Sequence, residues 1–446
     1  MEINTPQQVK DAIAKIEENE HEAYIVGGCV RDRILGLDVH DWDITTSALP
    51  DEIMEIFADY KTAETGTEHG TVTVIIDSLP LEITTYRIDG RYLDNRHPEQ
   101  VTFTSKIDDD LSRRDFTINA LAYNVRVGIV DLFGGIDDIN KRTIRCVGEP
   151  DDRFSEDALR IMRALRFASV LEFEIEPQTA RSIHRNRDLL NNISVERFQK
   201  ELNEILTGAA AERILNEYRD VIAVIIPEIT PMFDFDQRTK YHNLDIWRHT
   251  AKSVGESKDE LEVRLTMLFH DIGKPATFSV DGQGVGHFYG HGKESTVLTK
   301  RILKRLKYPT RTIEHVSKLV KFHDAAVHPN KKSVARWMNR LSEQGMRRLL
   351  SVKRADTIAH APEFIGRLDE IDSIEKVVDA VIEDEDCFSL KHLAVDGNDL
   401  IEIGITKGTR IGNTLGNLLD AVINQECENE REALLTLAKK INKIRQ

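Results

Sequence analysis

The stretch YIVGGCVRDRILGLDVHDWDITT, residues 24–46, gathers residue types that can do phosphoryl chemistry. Gly27 and Gly28 follow a short apolar run and suit a tight turn. With no Cβ in the way, the backbone N–H groups of such a turn approach a phosphate closely. Arg31, just after them, can clamp the same phosphate. Asp41 and Asp43 stand two apart in DWDITT. On a strand they would share one face, which suits paired carboxylate ligands for Mg²⁺. Two such ions activate an attacking hydroxyl and stabilise a leaving pyrophosphate. Glu82, opening the alternating stretch EITTYR, is the third candidate carboxylate. Each piece alone is weak, because a Gly-Gly pair is usually a turn and an Asp-x-Asp usually a surface pair; their order and spacing make the set specific.

A second set lies far downstream. WRHT carries His249, LFHDIGKP carries His270 and Asp271, and GHFYGHGKES carries His287 and His291. KFHD adds His323 and Asp324, and KRADTIAH adds Asp356. A lone histidine in a helix is usually packing or surface. A His-Asp doublet with further His and Asp at wide separations can build an all-helical metal site.

The elements around these residues divide the chain. EAYIVGG, TVTVIID, LEITTYRI and GIVDLFGG read as strands, from alternation and β-branched content. From about residue 152 the periodicity becomes helical, as in ERILNEYRDVIAVII, EVRLTMLFHDIG, SVARWMNRL and EREALLTLAKKINKI. The expected layout is an α/β head over 1–147, a helical neck over 148–210, a helical body over 211–362 and a helical tail over 363–446.

With 446 residues and 50.8 kDa, the chain exceeds what one hydrophobic core supports. Hydrophobic residues at 40% and charged residues at 30% are ordinary for a soluble globular protein. No run approaches the roughly 18–20 apolar residues of a membrane helix, and MEINTPQQVK has no signal-peptide core. Cys29, Cys146, Cys387 and Cys427 lie far apart, so reduced thiols in a cytoplasm are expected. A net charge of −16 argues against coating nucleic acid through bulk charge. Local basic stretches remain at 300–311, 331–340 and 347–356, and each reads equally as an RNA contact or a solvated helix face.

The pattern GGCVRDRILGLDVHDWDITT resembles the signature of the DNA-polymerase-beta-like nucleotidyltransferases, the class II group of tRNA CCA-adding enzymes and bacterial poly(A) polymerases. Ile34 replaces the first Leu of that signature. EHGTVTV at 68–74, RRDFTINALAYN at 113–124, RFSEDALRIMRALRFA at 153–168 and ISVERFQKELNEIL at 193–206 agree in order. The resemblance implies a mixed-sheet head followed by an all-α neck, body and tail. It implies template-independent addition of C, C and A to tRNA from CTP and ATP, with Mg²⁺ on Asp41 and Asp43. By the same resemblance Arg114 contacts nucleotide, while Asp115 and Asn119 support the site. Asp115 and Asn119 would equally cap a helix beginning at DFTINALAY.

In that family the EDALR segment selects the nucleotide. On a continuous helix, Leu159, Ile161, Met162, Leu165 and Ala168 fall on one half, and Asp157, Arg160, Arg163 and Arg166 wind around the other. Asp can accept from the exocyclic amine shared by C and A, and Arg can donate to ring acceptors. The ordinary alternative is a solvated charged face. A loop at 86–103 corresponds to one that relatives need for adding the final A, and its full length favours A addition.

LFHDIGKP resembles the HD superfamily of metal-dependent phosphohydrolases. That resemblance implies a metal on His249, His270, Asp271 and Asp356, extended by His291 and His323, with Ni²⁺ or Mn²⁺ as candidate ions. A retained helical scaffold without turnover is the alternative. Three rivals stand beside full CCA addition: A-only, CC-only or poly(A) synthesis; an HD phosphohydrolase with an RNA-binding head; and a non-catalytic RNA-binding protein. Oligomeric state is not legible.

Overall fold

The computed structural model describes residues 3–39, 41–66, 70–90, 101–406 and 408–442, and divides into two compact units, Met1–Pro227 and Glu228–Gln446. In the first unit, α1 (Gln7–Glu18) buries Val9, Ala12, Ile13 and Ile16, the helical spacing of a single apolar stripe. Strands β1 (Ala23–Val26), β2 (Trp42–Thr46), β3 (Lys61–Gly66), β4 (Thr71–Ile76) and β5 (Leu79–Thr85) alternate with α2 (Gly28–Ile34) and α3 (Pro50–Ile56). The ribbon β6 (Arg87–Asp89) and β7 (Val101–Phe103) follows, then α4 (Ile107–Ser112), β8 (Leu121–Asn124), β9 (Gly128–Asp131) and α5 (Gly135–Asn140).

The seven-stranded sheet runs β3-β4-β5-β2-β1-β8-β9. All its neighbours are antiparallel except β2 and β5, which are parallel. In β4 the sequence TVTVII buries every second residue, so one face packs and the other faces outward. Register in the parallel pair follows from burying Ile44 beside Ile83, and it puts Asp43 directly opposite Glu82.

Three local expectations give way. Asp41 precedes β2 rather than lying on it, so alternation along a strand does not join it to Asp43. DFTINALAY is not a helix: Thr117–Asn119 make one 3₁₀ turn, and Leu121–Asn124 become β8 because they complete pairing with β1 and β9. The EDALR segment is broken between α6 (Pro150–Glu156) and α7 (Leu159–Val170), with Asp157 extended at φ −130° and ψ 104°. Its carboxylate accepts from Leu159 N at 3.0 Å. Asp157 therefore stands one residue ahead of Ala158, the N-cap of α7, instead of lying on the helix face.

The first unit closes with α8 (Pro177–Asn186), α9 (Val195–Thr207), α10 (Ala211–Glu217) and α11 (Arg219–Ile225). Arg213 of α10 donates to the carbonyls of Ala168 and Phe173 at 3.3 and 2.8 Å. Residues 211–227, assigned to the body from sequence, thus pack with the neck.

The second unit is helical: α12 (Ile246–Glu256), α13 (Leu261–Phe269), α14 (Lys274–Thr277), α15 (His291–Arg305), α16 (Thr310–Phe322), α17 (Lys331–Ala359) and α18 (Leu368–Glu383). Ser342, at φ 71°, interrupts α17. Met346, Leu349 and Leu350 of α17 pack with Ile371, Ile374 and Val378 of α18. A separate cluster built on Leu400, Leu418 and Leu434 holds the last helices together. No helix among the described residues is long and apolar enough to cross a membrane.

Candidate active site

The three head carboxylates converge at the edge shared by β2 and β5. Asp43 is half-buried, whereas Asp41 and Glu82 are exposed. Burial, then Glu82 and more weakly Asp41, push the Asp43 carboxyl up to about 6 against the pull of Arg114. A carboxylate raised by burial and by neighbouring carboxylates is short of positive charge, and oxygen donors suit Mg²⁺. The residues fit a divalent metal.

Gly27 turns the chain from β1 into α2 with φ +81°, and a Cβ there would stand 3.0 Å from Arg114 Nη1. Only glycine takes that conformation without strain and leaves room for the guanidinium. Gly28 opens α2, where a Cβ would lie 3.6 Å from Arg31 Nη2. Arg31 is buried and fixed: its Nε and Nη2 donate to Asp32 at 2.8 and 3.0 Å, and Nη1 donates to Asn119 Oδ1 at 2.6 Å. Asn119 donates on to Asp115 Oδ1 at 3.1 Å, and Asp115 Oδ2 accepts from Arg163 Nε at 2.8 Å, with Nη2 at 2.6 Å in the ion pair. Burial opposes the charged form of Asp115, but Arg163 and Asn119 hold its pKa down to about 2.

Phe167 lies at the centre of these arginines. The guanidinium carbons of Arg166, Arg31 and Arg163 stand 4.4, 4.9 and 5.3 Å from its ring centroid. Arg166 Nε is 3.2 Å from the buried Glu201 carboxylate. Arg114 Nη2 reaches Asp110 at 3.2 Å, and Thr45 of β2 donates to the same oxygen at 3.3 Å. This ties the arginine cluster to the strand that carries Asp43. Asp157 pairs with Arg197 at 2.9 Å, and Arg160 pairs with Glu156 at 2.6 Å while donating to the Arg113 carbonyl at 2.9 Å. No ion pair joins Asp157 to Arg160 among the described residues.

Sequence reasoning missed Asp110, Arg197, Glu201 and Phe167. Asp110 is hidden in IDDDLS, where only burial picks one aspartate of three. Glu201 had a signal: it stands with Phe198, Leu202 and Ile205 on the apolar face of α9. Glu68 and His69 of the EHG motif, and residues 91–100 of the loop assigned to A addition, lie outside the described residues.

In the second unit the histidines and aspartates, from residues more than a hundred positions apart, meet in one cluster. His249 and His270 lie with Nε2 atoms 3.4 Å apart, and His249 Nε2 is 3.0 Å from Asp356 Oδ1. His270 Nε2 is 3.1 Å from Asp271 Oδ2. On the other side of Asp271, His291 and His323 Nε2 stand 3.6 and 3.8 Å from Oδ1 and 3.1 Å from each other.

Each ring is oriented the same way. Nδ1 of His249, His270, His291 and His323 meets a main-chain carbonyl, of Ala359, Met267, Phe288 and Val320, at 3.2, 2.7, 2.9 and 2.7 Å. The Nδ1–H tautomer leaves every Nε2 facing the cluster, the second-shell arrangement of metal-ligating histidine. Neither Asp271 oxygen makes a well-directed hydrogen bond, although Lys274 Nζ lies 2.6 Å from Oδ2. Burial notwithstanding, Asp271 and Asp356 raise His270 to about 10, while burial and His270 push His323 down to about 3. The donor set fits a transition metal, with Asp271 between two groups.

His242, Lys274 and His360 were not anticipated. They line the same cavity of about 1230 Å³, and His242 stands 4.7 Å from His249 ring to ring. His287 stays out of the cluster, pairing with Asp281 at 2.9 Å.

Comparison with known proteins agrees in order along the chain. The "Poly A polymerase head domain" profile matches residues 23–145. An RNA and SrmB-binding site of polymerase A matches 172–233, and a tRNA nucleotidyltransferase domain 2 matches 293–438. The CCA-adding enzyme of Levilactobacillus brevis is 36% identical over 429 residues, 96% of each chain. This chain belongs to the CCA-adding enzyme family. A second relative, the CCA-adding enzyme of Geobacillus thermodenitrificans, is 35% identical over 431 residues, 96% of this chain and 95% of that one. The crystal structure of the Bacillus stearothermophilus CCA-adding enzyme in complex with CTP superposes with a TM-score of 0.74 at 28% identity, over 99% of this chain and 98% of that one. Within this family frame, the mixed-sheet head and mostly helical remainder are as expected.

Proposed function

We propose that this protein adds C, C and A in turn to the 3′ end of tRNA, drawing on CTP and ATP without a nucleic-acid template. The observation that carries the reading is the register that sets Asp43 beside Glu82, next to the Arg31–Asn119–Asp115–Arg163 chain. The 3′-terminal hydroxyl of tRNA attacks the α-phosphate, and pyrophosphate leaves. Arg31 and Arg114, beside the Gly27 turn, hold the triphosphate, and Gly28 leaves room for it. Asp41, Asp43 and Glu82 would hold divalent metal, which would supply activation of the hydroxyl and charge neutralisation at the leaving group.

Arg163 and Arg166 reach the base from α7, and Asp157 with Arg160 completes the reading by exchanging present partners for the C or A edge. Residues 1–147, 148–210, 211–362 and 363–446 serve as catalytic head, base-reading neck, body and tRNA-binding tail, with 211–227 packed against the neck. The working compartment is the cytoplasm.

The experiment supplies tRNA transcripts ending before CCA, after C or after CC, with CTP and ATP separately and together, and sequences the 3′ ends. Full CCA on every transcript is expected. A added to the CC end, with no C on shorter ends, would replace this reading by A-only addition.

A second reading concerns the helical cluster, on the shared orientation of its four imidazoles. His249, His270, Asp271 and Asp356 would hold one transition metal, and His291 and His323 would extend the site to a second, as a phosphohydrolase requires. Phosphate release from a 2′-phosphate or 2′,3′-cyclic phosphate with Ni²⁺ or Mn²⁺ is expected for the parent and lost in His270→Ala; equal release from both would remove this reading.

A further inference from the structure

Two of the basic stretches, 300–311 and 331–340, come together with α16 around a cavity of about 570 Å³ that belongs to neither candidate site. Lys300 from α15, Lys318 and Lys321 from α16 and Arg340 from α17 line it, against one acid, Glu314. All four cations are exposed, and none is in an ion pair among the described residues. Arg340 is nonetheless held in place. Its guanidinium lies 5.0 Å from the Trp337 ring and 5.3 Å from the Phe322 ring, and the two rings meet edge to face at 5.2 Å. A guanidinium held over aromatic rings keeps N–H groups available for an oxyanion.

The second observation is Ser317. It lines this cavity at 2% exposure, and its buried hydroxyl has no hydrogen-bond partner. Other hydroxyls in these helices bond back to their own backbone. Thr296 Oγ1 donates to Gly292 O at 2.6 Å, and Thr299 Oγ1 to Ser295 O at 2.7 Å. A buried hydroxyl left unpaired inside a ring of cations is the complement of an anionic oxygen.

We infer that this cavity is a phosphate-binding pocket, and that the phosphate it takes belongs to the backbone of the RNA on which the enzyme acts. The assignment to RNA rests on the nucleotidyltransferase reading; the assignment to phosphate does not. A free phosphate would leave most of the volume empty, whereas a polynucleotide fills it with the neighbouring sugars and uses the exposed lysines along its track. Lys321 also lines the histidine cavity, so the test leaves it unchanged.

The experiment measures binding of full-length protein to a tRNA lacking CCA across a series of salt concentrations. It compares parent, the double variant Lys300→Gln/Lys318→Gln, and Ser317→Ala, each checked by thermal melting. The double variant is expected to bind about ten-fold more weakly and to lower the slope of log K against log salt by about two. Ser317→Ala should weaken binding about five-fold with the slope unchanged. A parallel titration with inorganic phosphate alone, and with pyrophosphate, separates the sources. Variants that lose phosphate binding but keep the parent's tRNA affinity and slope overturn the assignment to RNA. Variants unchanged in both overturn the pocket. C and A addition by the parent is read in the same samples. Its absence would sink the nucleotidyltransferase reading, while the salt slopes still decide whether the pocket holds.

Discussion

The two metal-fitting clusters are built in opposite ways. In the head, Asp43 and Glu82 meet through the register of one parallel strand pair, and Asp41 stands just ahead of the strand. In the helical unit, His249, His270, Asp271, His291, His323 and Asp356 arrive from α12 to α17, joined only by packing. Their electrostatics differ as well. The head carboxylates are exposed or half-buried, and burial, then the neighbouring Glu82, pushes Asp43 up to about 6. In the helical cluster the buried Asp271 and the half-buried Asp356 are neutralised by the histidines and Lys274 around them, and both lie well below the ordinary range. An open, under-neutralised site can receive a metal together with a charged substrate. A buried, imidazole-rich site retains its metal within the protein.

The largest effect that would sharpen this contrast is on metal retention. Asp271 faces both histidine groups, so Asp271→Asn should lower the affinity for Mn²⁺ or Ni²⁺ at least about a hundred-fold. Equilibrium dialysis with elemental analysis measures it, and C addition by the same variant should stay within a factor of two. Retained metal would mean that the cluster does not depend on its central carboxylate.

A smaller effect concerns acid. The folded-state pKa of Asp115, about 2, lies below its ordinary 3.8. The stability it contributes is therefore full above the ordinary value and lost as pH falls from about 4 towards 2. That contribution is on the order of 2 kcal/mol. Urea unfolding followed across this window should show a shallower loss for Asp115→Asn than for the parent. Parallel acid limbs would mean that the Arg163 pair is not maintained in solution.

Smaller again is the loss of a ring. Phe167→Leu removes three arginine contacts and should reduce kcat/KM about ten-fold for CTP and ATP alike, mainly through KM. Phe167→Tyr, which keeps the ring, should restore it. A change in the preference between C and A would assign Phe167 to base reading instead of positioning.

Legibility from sequence followed the range of the interactions involved. Strands β1, β4, β5 and β9 show in alternation or in short apolar runs, and the long helices in their periodicity. β8 was not legible, because TINALAYN has a helical look locally and becomes a strand only by lying between β1 and β9. The break at Asp157 was hidden for a related reason. DALRIM continues a helical pattern, and only the hydrogen bond to Leu159 N and the pairing with Arg197 take Asp157 off the helix face. The motif residues Gly27, Arg31, Asp43 and Glu82 could be named from spacing. Their partners Asp110 and Glu201 could not, since an acidic residue in sequence carries no mark of burial. In the helical unit the HD doublet was visible, but His242 and His360 enter through tertiary packing.

The most direct test is single-turnover addition of C to a tRNA lacking CCA, with Mg²⁺, by the parent, Asp43→Asn and His270→Ala, alongside tRNA binding by each. The expected result is loss of at least about a thousand-fold in Asp43→Asn with tRNA affinity retained, and a rate within two-fold of the parent in His270→Ala. Addition by Asp43→Asn near the parent rate would contradict the assignment of the β2–β5 carboxylates as the polymerising centre.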